Sequence, residues 1–147
     1  MAEMRHFEDF QVGDKMLTRG RTVTEADIVM FAGLTGDWHP LHTDIEYARQ
    51  GPFQERIAHG FLILSIASGL LPLSEIAIIA FYGIDKLRFV APVKLLDTIR
   101  VEFEVVDKQE KDERGGVITF QQTIKNQRGE DVSVGIMRSF IAKRKSP

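Results

Sequence analysis

The chain has 147 residues, enough at roughly 100 to 200 residues per domain for one compact domain with a buried core. Apolar residues make up 44% and charged residues 27%, with 5 Pro and 12 Gly, a composition that excludes disordered, collagenous and linker classes. Nineteen Lys and Arg against 21 Asp and Glu give a net charge of -2, a poor footprint for a nucleic-acid binder, and the absence of Cys excludes a disulfide framework, thiolate metal ligation and a Cys nucleophile. Met1 to His6 carry both signs of charge ahead of Phe7 and form no signal-peptide pattern, so a cytoplasmic location is the expectation.

In chain order, an early strand is expected over 15–23. Thr24 followed by Asp27 is a capping-box variant, with Asp where Glu or Gln is commoner, and it predicts a helix start. Ile28, Phe31 and Ala32 give that helix one apolar face, and Gly33 and Gly36 stop it. Residues 36–56 contain Pro40, Gly51 and Pro52 without sustained periodicity, and read as an ordered, largely irregular segment with one short helix at 45–49. Residues 58–71 predict a helix closed by Pro72 and apolar on all sides, hence surrounded by other structure.

From Ile57 to Ile84 the only ionisable side chains are His59, Glu75 and Tyr82, a run to weigh against a membrane span of about 20 apolar residues. Gly60, Ser65, Ser68, Gly69, Pro72, Ser74 and Glu75 split it into a buried helix and then a buried strand over 76–89. Beyond, the period becomes alternating: Val101, Phe103 and Val105 face one way, Arg100, Glu102 and Glu104 the other. Two more strands follow over 117–124 and 132–141, with turns at 112–116 and 126–129. The pattern predicts an α+β architecture, a curved and mostly antiparallel sheet of about five strands wrapped around a central apolar helix. Lys143, Arg144 and Lys145 read as a solvated tail.

The densest polar chemistry is Gly36-Asp37-Trp38-His39-Pro40-Leu41-His42-Thr43-Asp44. A carboxylate and an imidazole sharing one water are the equipment of general acid/base chemistry. Five positions separate Asp37 from His42, and Pro40 between them argues against a helix, so the loop must fold to join them. Ala58-His59-Gly60 opens the apolar helix, where unpaired N–H groups can hold negative charge developing on an oxygen and Gly60 permits close approach.

Phe31-Ala-Gly-Leu-Thr-Gly-Asp37-Trp-His-Pro-Leu-His42, with the later Ala58-His-Gly60 and Ser65, resembles the hydratase signature of the MaoC-like dehydratases, the (R)-specific enoyl-CoA hydratases of hotdog fold. Leu87-Arg-Phe89-Val-Ala-Pro92-Val-Lys-Leu-Leu-Asp97-Thr is similar to the strand and turn after the helix in that family. The resemblance implies that Asp37 and His42 activate the water added to a trans-2-enoyl thioester. It further implies that the Gly60 N–H stabilises the enolate-like oxygen and that Ser65 supports the dyad by hydrogen bonding. An oxyanion hole of this kind contributes roughly 3 to 4 kcal/mol. It implies a homodimer, acyl-CoA or an acyl-carrier-protein thioester as partner, and no metal or other cofactor. His39, His59, Arg56 and Arg88 become candidate substrate contacts, with Lys86 and Lys94 as further cations for CoA phosphates, and residues 62–71 and 81–89 candidate walls of an acyl tunnel.

Two departures stand out: His39 replaces the family's usual Asn, and Leu96 its usual Gly, which implies strain if that position has positive φ. Three alternatives remain open. One is a metal hydrolase using Asp37, His39, His42 and Asp44, another a hotdog acyl-CoA thioesterase, and the third a non-catalytic acyl-CoA-binding or regulatory subunit.

Overall fold

The computed structural model describes residues 4–144; Met1 to Glu3 and Lys145 to Pro147, on which parts of the N-terminal and tail readings fall, lie outside the described residues. Three long strands, β4 (Thr98–Asp112), β5 (Gly115–Lys125) and β6 (Asp131–Ala142), form an antiparallel meander at the predicted turns. β3 (Ile78–Phe89) adds to β6, and β1 (Lys15–Leu17) and β2 (Arg21–Thr22) both add to β4. The strands thus number six among the described residues, against the expected five, because the early strand is broken. At the break Thr18 takes over the ladder: its N–H donates to Val101 O and its hydroxyl accepts from the Val101 N–H. Gly20 then passes so close to β4 that a Cβ there would meet Thr98 Cγ2 at 3.0 Å.

The period-2 pattern of β4 places Val101, Phe103 and Val105 on the inner face, level with Ile124, Gln122 and Phe120 of β5. Register shifts along β3/β6 and β4/β5 mark bulges, which bend and twist strands and so let the sheet curl. Inside the curl lies α4 (Gly60–Leu70), whose Leu62, Ile63, Ile66, Ala67 and Leu70 pack with Val101, Phe103, Phe120 and Ile124. Each large aliphatic side chain buried there contributes about 1.5 to 3 kcal/mol. The sequence expectation of a helix covered on all sides is corrected: Phe61 is 70% exposed, and Ser65 and Ser68 are exposed beside it. Uniform apolarity told of burial, yet in one chain the sheet covers only part of the circumference. No helix among the described residues is long and apolar enough to cross a membrane.

α1 (Glu25–Thr35) forms as its sequence predicts. The Asp27 N–H donates to Thr24 Oγ1, and Asp27 Oδ2 accepts from the Thr24 N–H at 2.8 Å, while Gly36 closes the helix at φ 77. Its face is not single, because Met30 and Leu34 are exposed opposite buried Ile28 and Ala32. The strain expected at Leu96 is present, at φ 67. Of the expected solvated tail, Lys143 pairs with Glu110 and Arg144 with Asp9, so these charges clasp the sheet end.

Candidate active site

Residues 36–56 hold more helix than their sequence suggests. α2 (Pro40–Thr43) precedes the expected α3 (Ile45–Arg49), and Pro40, read as evidence against a helix, occupies the first helical position, where its missing N–H costs nothing. His39 caps α2, its Nδ1 accepting from the Leu41 N–H at 3.1 Å, a task Asn also performs at helix starts. Asp44 caps α3 through the Tyr47 N–H at 3.0 Å. These local bonds turn the chain tightly enough to bring Asp37 and His42 together.

The Asp37 side chain is half exposed, and its Oδ1 accepts from the His39 N–H at 3.2 Å. His42 lies half-buried in α2 with Nδ1 2.7 Å from Ile57 O. A carbonyl only accepts, so Nδ1 carries the proton and Nε2 presents its lone pair. Burial holds the His42 pKa below the usual imidazole range, and neighbouring His59 and His39 act in the same direction against the Ile57 carbonyl and Asp37. The lowered pKa favours the neutral ring.

His59 stands behind this pair. It is 2% exposed, its ring stacks on His42 at 3.9 Å and 29°, and its Nε2 donates to Asp37 O at 2.9 Å. Expected to contact substrate, His59 is instead sealed within this chain, its ring against His42 and its Nε2 on the Asp37 carbonyl. Asp37, His42 and His59 each place a ligand atom within 4.8 Å of the others. His59 Nε2 is engaged by the Asp37 carbonyl and its Nδ1 is sealed, which leaves an ion two unengaged protein ligands. His39 and Asp44, the other members of the metal-hydrolase set, do not join this group and serve as helix caps.

α4 begins beside the dyad, and among the described residues nothing accepts from the Gly60 N–H at its positive end. A Cβ on Gly60 would lie 2.7 Å from Phe89 Cζ, so a larger residue here would have to displace the Phe89 ring. His42, Gly60, Phe53, Phe61 and Phe89 line a cavity of about 410 Å³ whose remaining walls are apolar. Of the aromatic walls, Phe89 falls in the stretch expected to line an acyl tunnel, whereas Phe53 and Phe61 were not singled out from the sequence, nor was Ile57, whose carbonyl sets the His42 tautomer. A carbonyl belongs to every residue, so no sequence signal marks it.

Three other expectations change. Ser65 donates to Phe61 O of its own helix at 2.8 Å and lines a different cavity from His42, so its expected support of the dyad is not realised within the chain. Arg56, a candidate phosphate contact, is held by both carboxylate oxygens of Glu25 at 2.8 and 2.6 Å, which pushes its pKa up and that of Glu25 down. A guanidinium so occupied is neutralised. Lys94 is likewise paired with Glu55 at 2.5 Å. Arg88 and Lys86 remain, exposed and without an ion pair among the described residues, beside the Phe89 wall.

Comparison with known proteins agrees with this geometry. Residues 9–127 match the family model described as MaoC like domain. The (R)-specific enoyl-CoA hydratase of Rhodospirillum rubrum is 36% identical over 96 residues, covering 65% of this chain and 66% of that protein. The chain spans about a third to two thirds of the length of the first curated relatives it matches. A solved structure called monoamine oxidase regulatory protein, from Archaeoglobus fulgius, is 44% identical with a TM-score of 0.90 over 97% of each chain. A Mycobacterium tuberculosis protein with a double hotdog fold superposes on 98% of this chain and 46% of its own at a TM-score of 0.83, and its 19% identity speaks for the fold alone. An apolar helix inside a curled antiparallel sheet, with the motif residues gathered at the helix start, is thus a hotdog fold, and the chain belongs to the MaoC-like dehydratase family.

Proposed function

We propose that the chain is a cytoplasmic hydro-lyase that adds water reversibly across the double bond of a trans-2-enoyl thioester, giving the (R)-3-hydroxyacyl thioester. The observation that carries this reading is His42, with its Nδ1 held by Ile57 O and a ligand atom within 4.8 Å of one on Asp37, at a cavity that Gly60 also lines. A water held between Asp37 and His42 gives a proton to the dyad as its oxygen bonds to the β-carbon. The electron pair moves onto the thioester oxygen, where the Gly60 N–H and the helix dipole stabilise it. The α-carbon then takes a proton, with Asp37 as its carrier. The relatives named hydratase and 3-hydroxybutyryl-CoA dehydratase support the same chemistry.

Mixing the protein with crotonyl-CoA tests the proposal. Loss of enoyl absorbance with (R)-3-hydroxybutyryl-CoA as product is expected. Release of free thiol from a saturated acyl-CoA would instead point to a thioesterase, and binding without turnover to a regulatory subunit.

The pH profile follows from His42. Because its folded pKa lies below the ordinary value near 6.5, the ring stays neutral as pH falls through that value. The acid limb of kcat/KM is expected below about pH 6.5; an imidazole limb above it would contradict the lowered His42 pKa.

The proposal includes a homodimer. Among the described residues β3 pairs only with β6, and on it Phe81 and Tyr82 are 56% and 57% exposed, Phe81 sharing a cavity wall with Phe61 of α4. A bare edge with exposed aromatic side chains suits a second copy. Light scattering is expected to give twice the chain mass; a monomer at micromolar concentration would refute it.

A further inference from the structure

A second cavity, of about 470 Å³, lies between α4 and the inner face of the sheet. Of the described residues, Phe61 lines both it and the cavity at His42. Its wall is mostly apolar, contributed largely by α4 and by strands β3 to β6, and no charged side chain among the described residues lines it. Four polar side chains interrupt that wall: Ser65 and Ser68, whose hydroxyls donate to carbonyls of α4, and the buried Gln122 and Ser139. Gln122 points inward from β5 on the same face as Phe120 and Ile124, and Ser139 inward from β6 on the same face as Met137 and Ile141. They are 5% and 4% exposed. Neither side chain has a hydrogen-bond partner among the described residues. The buried polar atoms both sealed and unpaired are His59 Nδ1 and Ser133 Oγ, so the Gln122 amide and Ser139 hydroxyl open onto the cavity.

A buried amide or hydroxyl left unpaired is costly, and a cavity shaped for plain alkyl chains gains nothing from either. Water can satisfy both groups in the empty cavity, but an alkyl chain that displaces it leaves them orphaned. A chain carrying an oxygen replaces the lost partners.

We propose that this cavity is a subsite for the distal part of an acyl chain bearing a neutral oxygen function, a hydroxyl or a ketone, hydrogen-bonded by Gln122 or by Ser139, which the β5/β6 register sets four residues apart along the wall. The inference rests on the acyl-thioester reading above and names its substrate class. Both side chains donate and accept, so either neutral oxygen is matched. A carboxylate is not, because no cation lines the cavity to offset the loss of its hydration. The chain runs from the thioester at Gly60 past the Phe61 ring, which stands between the two spaces.

Saturated acyl-CoAs bind without hydration, so calorimetry reads this subsite independently of catalysis. The probes are octanoyl-CoA, ω-hydroxyoctanoyl-CoA and suberoyl-CoA, with the decanoyl and dodecanoyl series beside them. At the length that reaches the subsite, the hydroxyl ligand is expected to bind at least about fivefold tighter than the alkyl ligand, with the carboxylate weakest. Gln122→Met and Ser139→Ala, checked for folding by thermal melting, are expected to remove that preference. Equal or tighter alkyl binding by the unaltered protein would overturn the proposal, as would a preference that survives both substitutions. Alkyl-only binding would leave the acyl-thioester reading standing, whereas failure of every acyl-CoA to bind would remove both.

Discussion

Asp37→Asn and His42→Ala are each expected to lower kcat for hydration of crotonyl-CoA by about a thousandfold while the fold persists, since general acid/base groups contribute about 100-fold to 10,000-fold. The two substitutions remove different things. Asn at 37 still accepts from the His39 N–H through its amide oxygen, so the turn survives while the proton carrier is lost. Ala at 42 removes the Nε2 lone pair, the bond to Ile57 O and the ring stacked on His59. KM is expected to move little for Asp37→Asn, because the apolar cavity is untouched. The double variant is expected to be little worse than either single one, because both groups act on the same water. Retention of more than about a tenth of the wild-type kcat in either variant would exclude the dyad mechanism.

The second large effect concerns stability. Asp97→Ala is expected to lower the free energy of unfolding by about 2 to 4 kcal/mol at neutral pH. The Asp97 carboxylate is buried at the turn into β4, where Oδ2 accepts from the Lys94 N–H at 3.0 Å and Oδ1 from Gln127 Nε2 at 2.7 Å and Arg128 at 3.0 Å. Burial pushes this carboxyl up, and the bonds from Gln127, Lys94 and Arg128 more than offset that, leaving its pKa below the ordinary value. A depressed carboxylate pKa stabilises the protein above the unfolded value, near 3.9, and the contribution is lost as pH falls through the folded pKa. The difference between wild type and variant is therefore expected to be full at pH 7 and to shrink below about pH 4. Urea unfolding across that range measures it, and a difference unchanged by acid would mean that the carboxylate charge plays no part. The turn also holds Leu96 in its strained conformation and, through Val93 O, the Ala58 N–H just ahead of Gly60. The same variant is therefore expected to loosen the chain just ahead of α4.

Much of this protein is local chemistry and is legible as such. The Thr24 and Asp27 box, the Gly36 stop, the alternation through Val101, Phe103 and Val105, and the unbroken apolarity after Gly60 each depend on neighbours within a few positions. Those patterns, with the motif from Phe31 to His42, determined the α+β class and the family, and pointed to Asp37 and His42 as the pair proposed above. Pro40 shows where local reading turns ambiguous, because the residue that forbids a helix interior also favours its first position, and only the His39 cap decides between them.

The partners of the charged and polar side chains were decided by the tertiary structure alone. Arg56 and Glu25 meet across 31 residues, His59 and Asp37 across 22, and His42 and the Ile57 carbonyl across 15. No short-range pattern encodes such meetings. Arg56 reads as a free cation until Glu25 arrives, and His59 as a ligand contact until the sheet and the loop close over it. Hydrogen bonds and ion pairs form or fail over a few tenths of an ångström, and the distances that govern them exist only once the chain has closed on itself.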